Sequence, residues 1–291
     1  MIPTIAVLLT CFNRRAKTLN ALEALFKQNG ANAAFRLNVF LVDDGSSDGT
    51  GDAVREAFPQ VHVIDGTGGL YWNGGMRRAF EGALEYPFDY MLWLNDDTDL
   101  NDDAILRLLE TSQMLAQQGH YKTAVFGSTC DPLTGELTYG GFQRRKGPIL
   151  RLRHVGPDLQ GPREVTTMAG NCVLVSKAAV DAIGNLEPKF YHAWGDVDYG
   201  MRLRDAGGSV WLAPGYLAQC DPNPAAQRWR DDPSLSLRDR LAQMNSFRGL
   251  YPPDWLLFMR RHGGVMWSLA WAIPYVQLIT RHLKFKLSAS A

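Results

Sequence analysis

Three short, mostly apolar runs in this chain end directly on acids or amides, and that repeated junction limits the folds open to it. Ile5–Leu9 leads into Thr10-Cys11-Phe12-Asn13-Arg14, Leu37–Val42 into Asp43-Asp44-Gly45-Ser46-Ser47, and Tyr90–Leu94 into Asn95-Asp96-Asp97. Short apolar runs bounded by turn residues suit strands buried on both faces. Between them lie stretches of helical period: 17–28, with Leu19, Leu22, Leu25 and Phe26 on one face, then 52–58, then 75–85 behind a glycine-rich loop. Val61–Ile64 adds another strand. This alternation predicts a mostly parallel, Rossmann-like sheet flanked by helices. Ligands of open α/β sheets gather beyond the carboxyl ends of the strands, where all three polar clusters fall.

Further along, 126–164 reads as a looser meander, 168–175 as a strand, 177–183 and 198–206 as helices, and 210–213 as a late strand. After Pro222 the texture changes, with Pro224, Pro233, Pro252 and Pro253 punctuating it. The expected division is an α/β domain over 1–222 and a helical extension over 223–291.

Thirty basic and thirty acidic residues cancel, so the overall charge favours no nucleic acid partner. Cys11, Cys130, Cys172 and Cys220 are scattered and never form a C-x-x-C pair, which argues against a zinc ribbon and suits reduced thiols in cytoplasm. The apolar run at the start is too short for a signal h-region.

Adjacent carboxylates such as Asp96 and Asp97 repel unless a cation or a basic group sits between them. Hard divalent cations take such oxygens together with substrate phosphates; the plainer alternative is a solvated turn before a helix. Asp43 could accept from a nucleobase N–H, or cap an Asx-turn. The loop Gly66–Gly75 allows close backbone approach and free N–H donors at the next helix start, but it does not fit G-x-G-x-x-G, so a nicotinamide cofactor is poorly supported.

T-C-F-N-R at 10–14, V-D-D-G-S-S-D-G-T at 42–50 and L-N-D-D-T-D at 94–99 together resemble the inverting glycosyltransferases of family 2, over roughly residues 3–222. The resemblance implies a GT-A fold and a nucleoside-diphosphate-sugar donor. It places Thr10, Phe12, Asn13 and Arg14 beside the nucleotide and Asp43 on the base. It gives Asn95-Asp96-Asp97 the role of the D-x-D-like motif for Mg²⁺ or Mn²⁺. Asp97 would be the direct ligand, Asp96 a second ligand that also faces the donor, and Asp221 a further candidate. Asn73, Gly75 and Arg77 match the family's donor-side Asn-x-Gly pattern. Asp196 falls at the general base, with Asp198 as the fallback, and Gly195 stands where the family usually has Glu. His192 and Trp194 are expected at the acceptor. Leu70-Tyr71-Trp72 is similar to the rhamnosyltransferase-like members.

Beyond Asp254 there is no acid, while Arg260, Arg261, Arg281, Lys284 and Lys286 flank an apolar stretch over 265–279 that contains Trp267, Trp271, Tyr275 and Pro274. It is shorter than a bilayer span, and its mix of aromatics and cations suits a helix lying in a membrane interface. The expected activity is transfer of one sugar, with inversion, to a glycan or lipid-linked glycan by a cytoplasmic protein peripheral to the inner face of the membrane. A sugar-1-phosphate nucleotidylyltransferase, or an inactive nucleotide-sugar-binding scaffold, is the alternative.

Overall fold

The structure, a computed structural model, describes residues 2–222, 229, 232–247 and 249–289. The division expected at 222 adjoins 223–228, which lie outside the described residues, as does Pro224.

Strand β1 (Thr4–Cys11) shows why the first apolar run folds as it does. Ile5, Val7 and Leu9 enter one core and Ala6 and Leu8 another, all essentially fully buried. A strand's period of two sends alternate side chains to opposite faces, so a run without polar alternation must be covered on both. Helices α1 (Arg15–Phe26) and α4 (Ala104–Gln117) cover one face; α3 (Tyr71–Ala83) and α6 (Gly195–Asp205) cover the other.

The main sheet runs β10-β13-β6-β12-β4-β1-β2-β3. These strands are Arg163–Val165, Ser209–Gln219, Thr123–Cys130, Cys172–Ser176, Tyr90–Leu94, β1, Arg36–Asp43 and His62–Asp65. All but β12 and β10 point the same way. The chain winds outward from β1 through β2 to β3 and then returns to β4 on the other side of β1. The carboxyl ends of β1 and β4 therefore flank the switch in winding direction, where a crevice opens. A small second sheet, β11-β8-β9 (Thr167–Met168, Gly141–Arg144, Leu152–Val155), comes from the meander.

Three elements differ from the sequence expectation. Helix α3 starts at Tyr71, so Trp72 to Gly75 are helical, not loop. Gly75 is there because helix meets strand: a Cβ would overlap Thr10 Oγ1. The expected strand 168–175 is split into β11 and β12 by a turn at Ala169–Asn171. The late strand extends to Gln219.

The extension folds as α7 (Leu237–Met244), α8 (Pro252–His262), a 3₁₀ turn (Gly264–Met266) and α9 (Trp267–Ala289), with Pro274 carried inside α9. Trp255, Phe258 and Met259 of α8 share one buried cluster with Leu150, Phe190, Val197 and Met201 of the α/β domain. Where they are described, the two parts expected from the sequence thus have a common core. No helix among the described residues is long and apolar enough to cross a membrane.

Candidate active site

At the switch point the two central strands bring their ends together. One guanidinium nitrogen of Arg14, just past β1, donates to Asp96 Oδ1 at 3.1 Å and to Asp97 Oδ2 at 2.7 Å, just past β4. A basic group thus separates the adjacent carboxylates, as their repulsion requires. Burial lifts the Asp96 carboxyl to about 6, while Arg14 works against that rise.

The second strand end carries two carboxylates with different work. Asp43 Oδ1 accepts from Ser46 N at 3.0 Å, and its other oxygen lies against Gly51, where a Cβ would overlap it. Asp44, which sequence reasoning passed over, accepts from the backbone N–H groups of Gly68, Leu70 and Tyr71 at 2.8, 2.8 and 3.1 Å. Two of the N–H donors at the start of α3, those of Leu70 and Tyr71, are therefore held by the protein itself. Asn13, with φ 51°, receives Ser47 N at 2.7 Å and gives its own N–H to Ser46 Oγ at 2.9 Å. It splices the first loop to the second. Phe12 beside it is half exposed, at 51%.

Trp72 spans the crevice. Its indole N–H donates to Asn95 Oδ1 at 2.8 Å, and Asn95 N donates to Asn171 O at 3.0 Å. The indole lies on Gly170, where a Cβ would overlap the ring and come within 3.2 Å of Asp196 Cβ. One contact chain thus joins the acid motif to Asp196 through a glycine that leaves room for it. Burial raises the Asp196 carboxyl to about 6, opposed by backbone N–H bonds, including one from Val197 at 2.8 Å. A carboxylate poised near neutrality suits proton transfer.

Several expected site residues do framework work instead. Asp198, the fallback base, is fully buried, and its two oxygens accept from Arg202 Nε (2.8 Å), Arg261 Nη1 (2.8 Å) and His262 Nε2 (2.9 Å). Burial alone would raise this carboxyl, but the three hydrogen bonds hold it below the usual range. Such a group, fully buried and held by three donors, serves the framework and does not face solvent. Asn73 is also fully buried, donating to the carbonyls of Glu187 (3.0 Å) and Phe190 (2.7 Å). Its Oδ1 occupies the volume a side chain at residue 195 would need, which is why that position is glycine. Arg77 turns to Leu186 O (3.2 Å) and Glu81, and Gly75 serves the close approach to Thr10. Trp194 stacks on Trp255 and Phe258 of the extension, with ring centroids 4.9 and 4.8 Å away. His192 N donates to buried Asp254 at 3.1 Å, and its ring lies 5.8 Å from Tyr71.

The structure also assembles rings that the sequence did not single out. Tyr71, Tyr191, Phe247 and Tyr251 come from three separate segments and pack at centroid distances of 4.4 to 5.8 Å. Tyr71 and Tyr191 stay 38% and 44% exposed, so part of this ring cluster reaches the surface.

The acids admit a cation in part. Among the described residues no three metal-ligating side chains converge, and Asp221 pairs with Lys17 at 3.0 Å. Asp96 Oδ2 is nevertheless buried with no hydrogen-bond partner, next to Asp97. Two hard oxygens plus phosphate oxygens form a donor set that Mg²⁺ or Mn²⁺ accepts. Asp96 and Asp97 fit such an ion when Arg14 gives way.

Known proteins point the same way. Over 199 residues the chain is 24% identical to N-acetylglucosaminyl-diphospho-decaprenol L-rhamnosyltransferase of Mycobacterium tuberculosis, in strains CDC 1551 / Oshkosh and ATCC 25618 / H37Rv alike. That match covers 61% of this chain and 63% of those relatives' length. Among solved structures, GalNAc-T7 with UDP, GalNAc and Mn²⁺ superposes with a TM-score of 0.59 at 11% identity, covering 76% of this chain and 43% of that one. The likeness shows the GT-A fold. The family described as "Glycosyltransferase like family 2" matches residues 3–246, most of the chain. With the strand-end acids, the GT-A sheet and this match in agreement, the chain belongs to glycosyltransferase family 2.

Proposed function

We propose that the chain transfers one hexose-type sugar, with inversion, from a UDP- or dTDP-sugar to a hydroxyl of a glycan or lipid-linked glycan used in cell-envelope polysaccharide such as O-antigen or capsule. The observation that carries this reading is Asp196, raised to about 6 and joined through Gly170 and Trp72 to the Asn95-Asp96-Asp97 turn. The names of the Mycobacterium relatives support an L-rhamnosyl donor and a diphospho-polyprenol acceptor as the version to test first.

In this mechanism the donor's nucleoside lies over the ends of β1 and β2, with Asp43 accepting from the base and Phe12 against the ring. Arg14 turns from the two acids toward the diphosphate and neutralises charge there as the glycosidic bond breaks. A divalent cation on Asp97 and Asp96 would supply further charge stabilisation to the leaving diphosphate when bound. Asp196 takes the proton of the acceptor hydroxyl as it attacks from the opposite face. The exposed parts of Tyr71 and Tyr191 offer an aromatic surface for the acceptor sugar, with His192 beside them.

The extension supports a place on a membrane surface, at the cytoplasmic leaflet. Leu269, Val276, Ile279, Leu283 and Leu287 of α9 fall on one helical stripe and are 40–73% exposed. An unpartnered apolar stripe among cations suits an anionic interface.

The test is transfer from dTDP-rhamnose and UDP-sugars to short-chain diphospho-lipid GlcNAc, with product stereochemistry read by NMR. An inverted product that requires Asp196 supports the proposal. Folded protein that neither transfers from nor binds any nucleotide sugar overturns it.

A further inference from the structure

The meander holds a feature that the proposed catalysis does not use. Arg144, Arg145, Lys146, Arg151 and Arg153 crowd the β8–β9 hairpin, and no acid occurs between Glu136 and Asp158. All five are exposed, and among the described residues none forms an ion pair with a carboxylate. Some surface cations elsewhere are paired locally: Arg55, Arg77, Arg107 and Lys177 each meet an acid three or four residues away. The pairing aggravates the repulsion, because Arg145 N donates to Arg151 O at 2.9 Å and so sets these two cations across from each other. Like charges facing across a ladder are destabilising unless something anionic lies between them. Four of these cations, with Gln143, line an open cleft of about 240 Å³.

The hairpin is also anchored in a telling place. Leu150 is buried in the cluster formed by Trp255, Phe258 and Ala270, with Ile149, Leu152, Trp267 and Trp271 packed around it. The cationic hairpin therefore leans on the helices that lead into the exposed stripe of α9.

We propose that the β8–β9 hairpin is the cationic half of a membrane-docking face whose apolar half is α9, and that its occupant is a bilayer containing anionic phospholipid. This rests on the membrane-surface reading above and adds a second element to it. Charge complementarity and the packing of the hairpin on the helix that carries the apolar stripe select the occupant. A nucleic acid offers no apolar phase for Val276 or Leu283, and a single diphosphate engages only two or three of five spread cations. Long basic side chains meet headgroup phosphates while the helix enters the acyl boundary.

The experiment is co-sedimentation of the full chain with vesicles of phosphatidylcholine alone, or of equal parts phosphatidylcholine and phosphatidylglycerol. It compares the wild type with R144Q/R145Q/K146Q/R151Q/R153Q and with V276S/I279S/L283S. The wild type should prefer the anionic vesicles, and that preference should fade with added salt. Removing the hairpin charges should lower partitioning onto them about fivefold per cation and sharply weaken the preference, since each basic residue at such a surface contributes ~1 kcal/mol. The α9 variant should lose binding to both vesicle types. All substituted side chains are exposed, and unchanged circular dichroism and melting confirm that each variant folds. Hairpin-variant binding equal to wild type overturns the proposal, as does wild type that binds neither vesicle. A preference abolished by soluble geranyl diphosphate also overturns it, giving the hairpin to an acceptor diphosphate instead. Transfer to a water-soluble acceptor, assayed in the same preparations, separates failure of this inference from failure of the proposed activity.

Discussion

Arg261, on the first long helix of the extension, donates to Oδ1 of Asp198 at 2.8 Å, and Asp198 lies two residues from the proposed base on α6. The bond crosses the division expected at residue 222 and ties the catalytic helix to the C-terminal helices. His262, beside Arg261 on α8, and Arg202, on α6 itself, share the same carboxylate, so two of its three bonds hold α6 to α8.

Asp198→Asn should therefore act on stability. Removing one partner of a buried charged set costs about 3–5 kcal/mol. Urea unfolding should show that loss, and a change below ~1 kcal/mol would remove Asp198 from the framework. The pH dependence has a defined sign. The Asp198 carboxyl is lowered in the folded state, so its contribution is complete above the ordinary carboxylate range. It is lost as pH falls through the depressed value, and acid unfolding should be shallower in the Asn variant.

Asp196→Asn should do the opposite, leaving the unfolding curve nearly unmoved while lowering kcat by about 10²–10⁴. Because Asp196 titrates at about 6, kcat/KM should be flat above that pH and fall about tenfold per unit below it. A pH–rate profile with no limb near 6 would assign the base elsewhere. Asp96 titrates in the same range, so the assignment needs the Asn variant to abolish the residual limb.

Gly195→Ala places a methyl group on Asn73 Oδ1. Overpacking of that kind costs about 1–3 kcal/mol. The same substitution in an Asn73→Ala background should cost less, because the obstructing atom has gone. A double-mutant cycle by thermal melting reads the coupling, and strict additivity would show that the two residues do not meet.

Arg14→Gln leaves Asp96 and Asp97 side by side with no cation between them. Mn²⁺ alone should then raise the melting temperature of the variant, whereas wild type should respond mainly to Mn²⁺ together with nucleotide. Equal responses of the two proteins to the ion alone would show that Arg14 does not compete for these oxygens.

The strands and their acid ends were legible because burial on both faces leaves an unbroken apolar run, and the polar residues that follow can only lie at a sheet edge. Lys177–Ile183 and Tyr90–Leu94 were read to the residue for the same local reasons. What was hidden depends on distant partners. Asp198 reads as a helix-start acid until Arg261 and His262, 63 and 64 residues away, arrive on it. The helix was expected to begin only at Gly75 because glycine disfavours helix interiors, but the helix starts at Tyr71, and the close approach to Thr10 explains the glycine at 75. Asn73, Gly75 and Arg77 match the family's donor-side pattern; in the structure the side chains of Asn73 and Arg77 also brace α3 against the 185–190 turn, while Gly75 meets Thr10. The basic hairpin was visible in sequence as a run without acids, but its meaning came only from the helices beneath it.

The three N–H groups gathered by Asp44 give the loop before α3 its shape before any donor arrives. A loop that must be ordered by its ligand charges that ordering against affinity and slows closure. Here the entropy of the glycine-rich segment is lost at folding, so the crevice wall that carries Tyr71 and Trp72 stands ready-made. In the proposed mechanism the group that moves on donor capture is then a single side chain, Arg14, which exchanges its two carboxylates for a diphosphate.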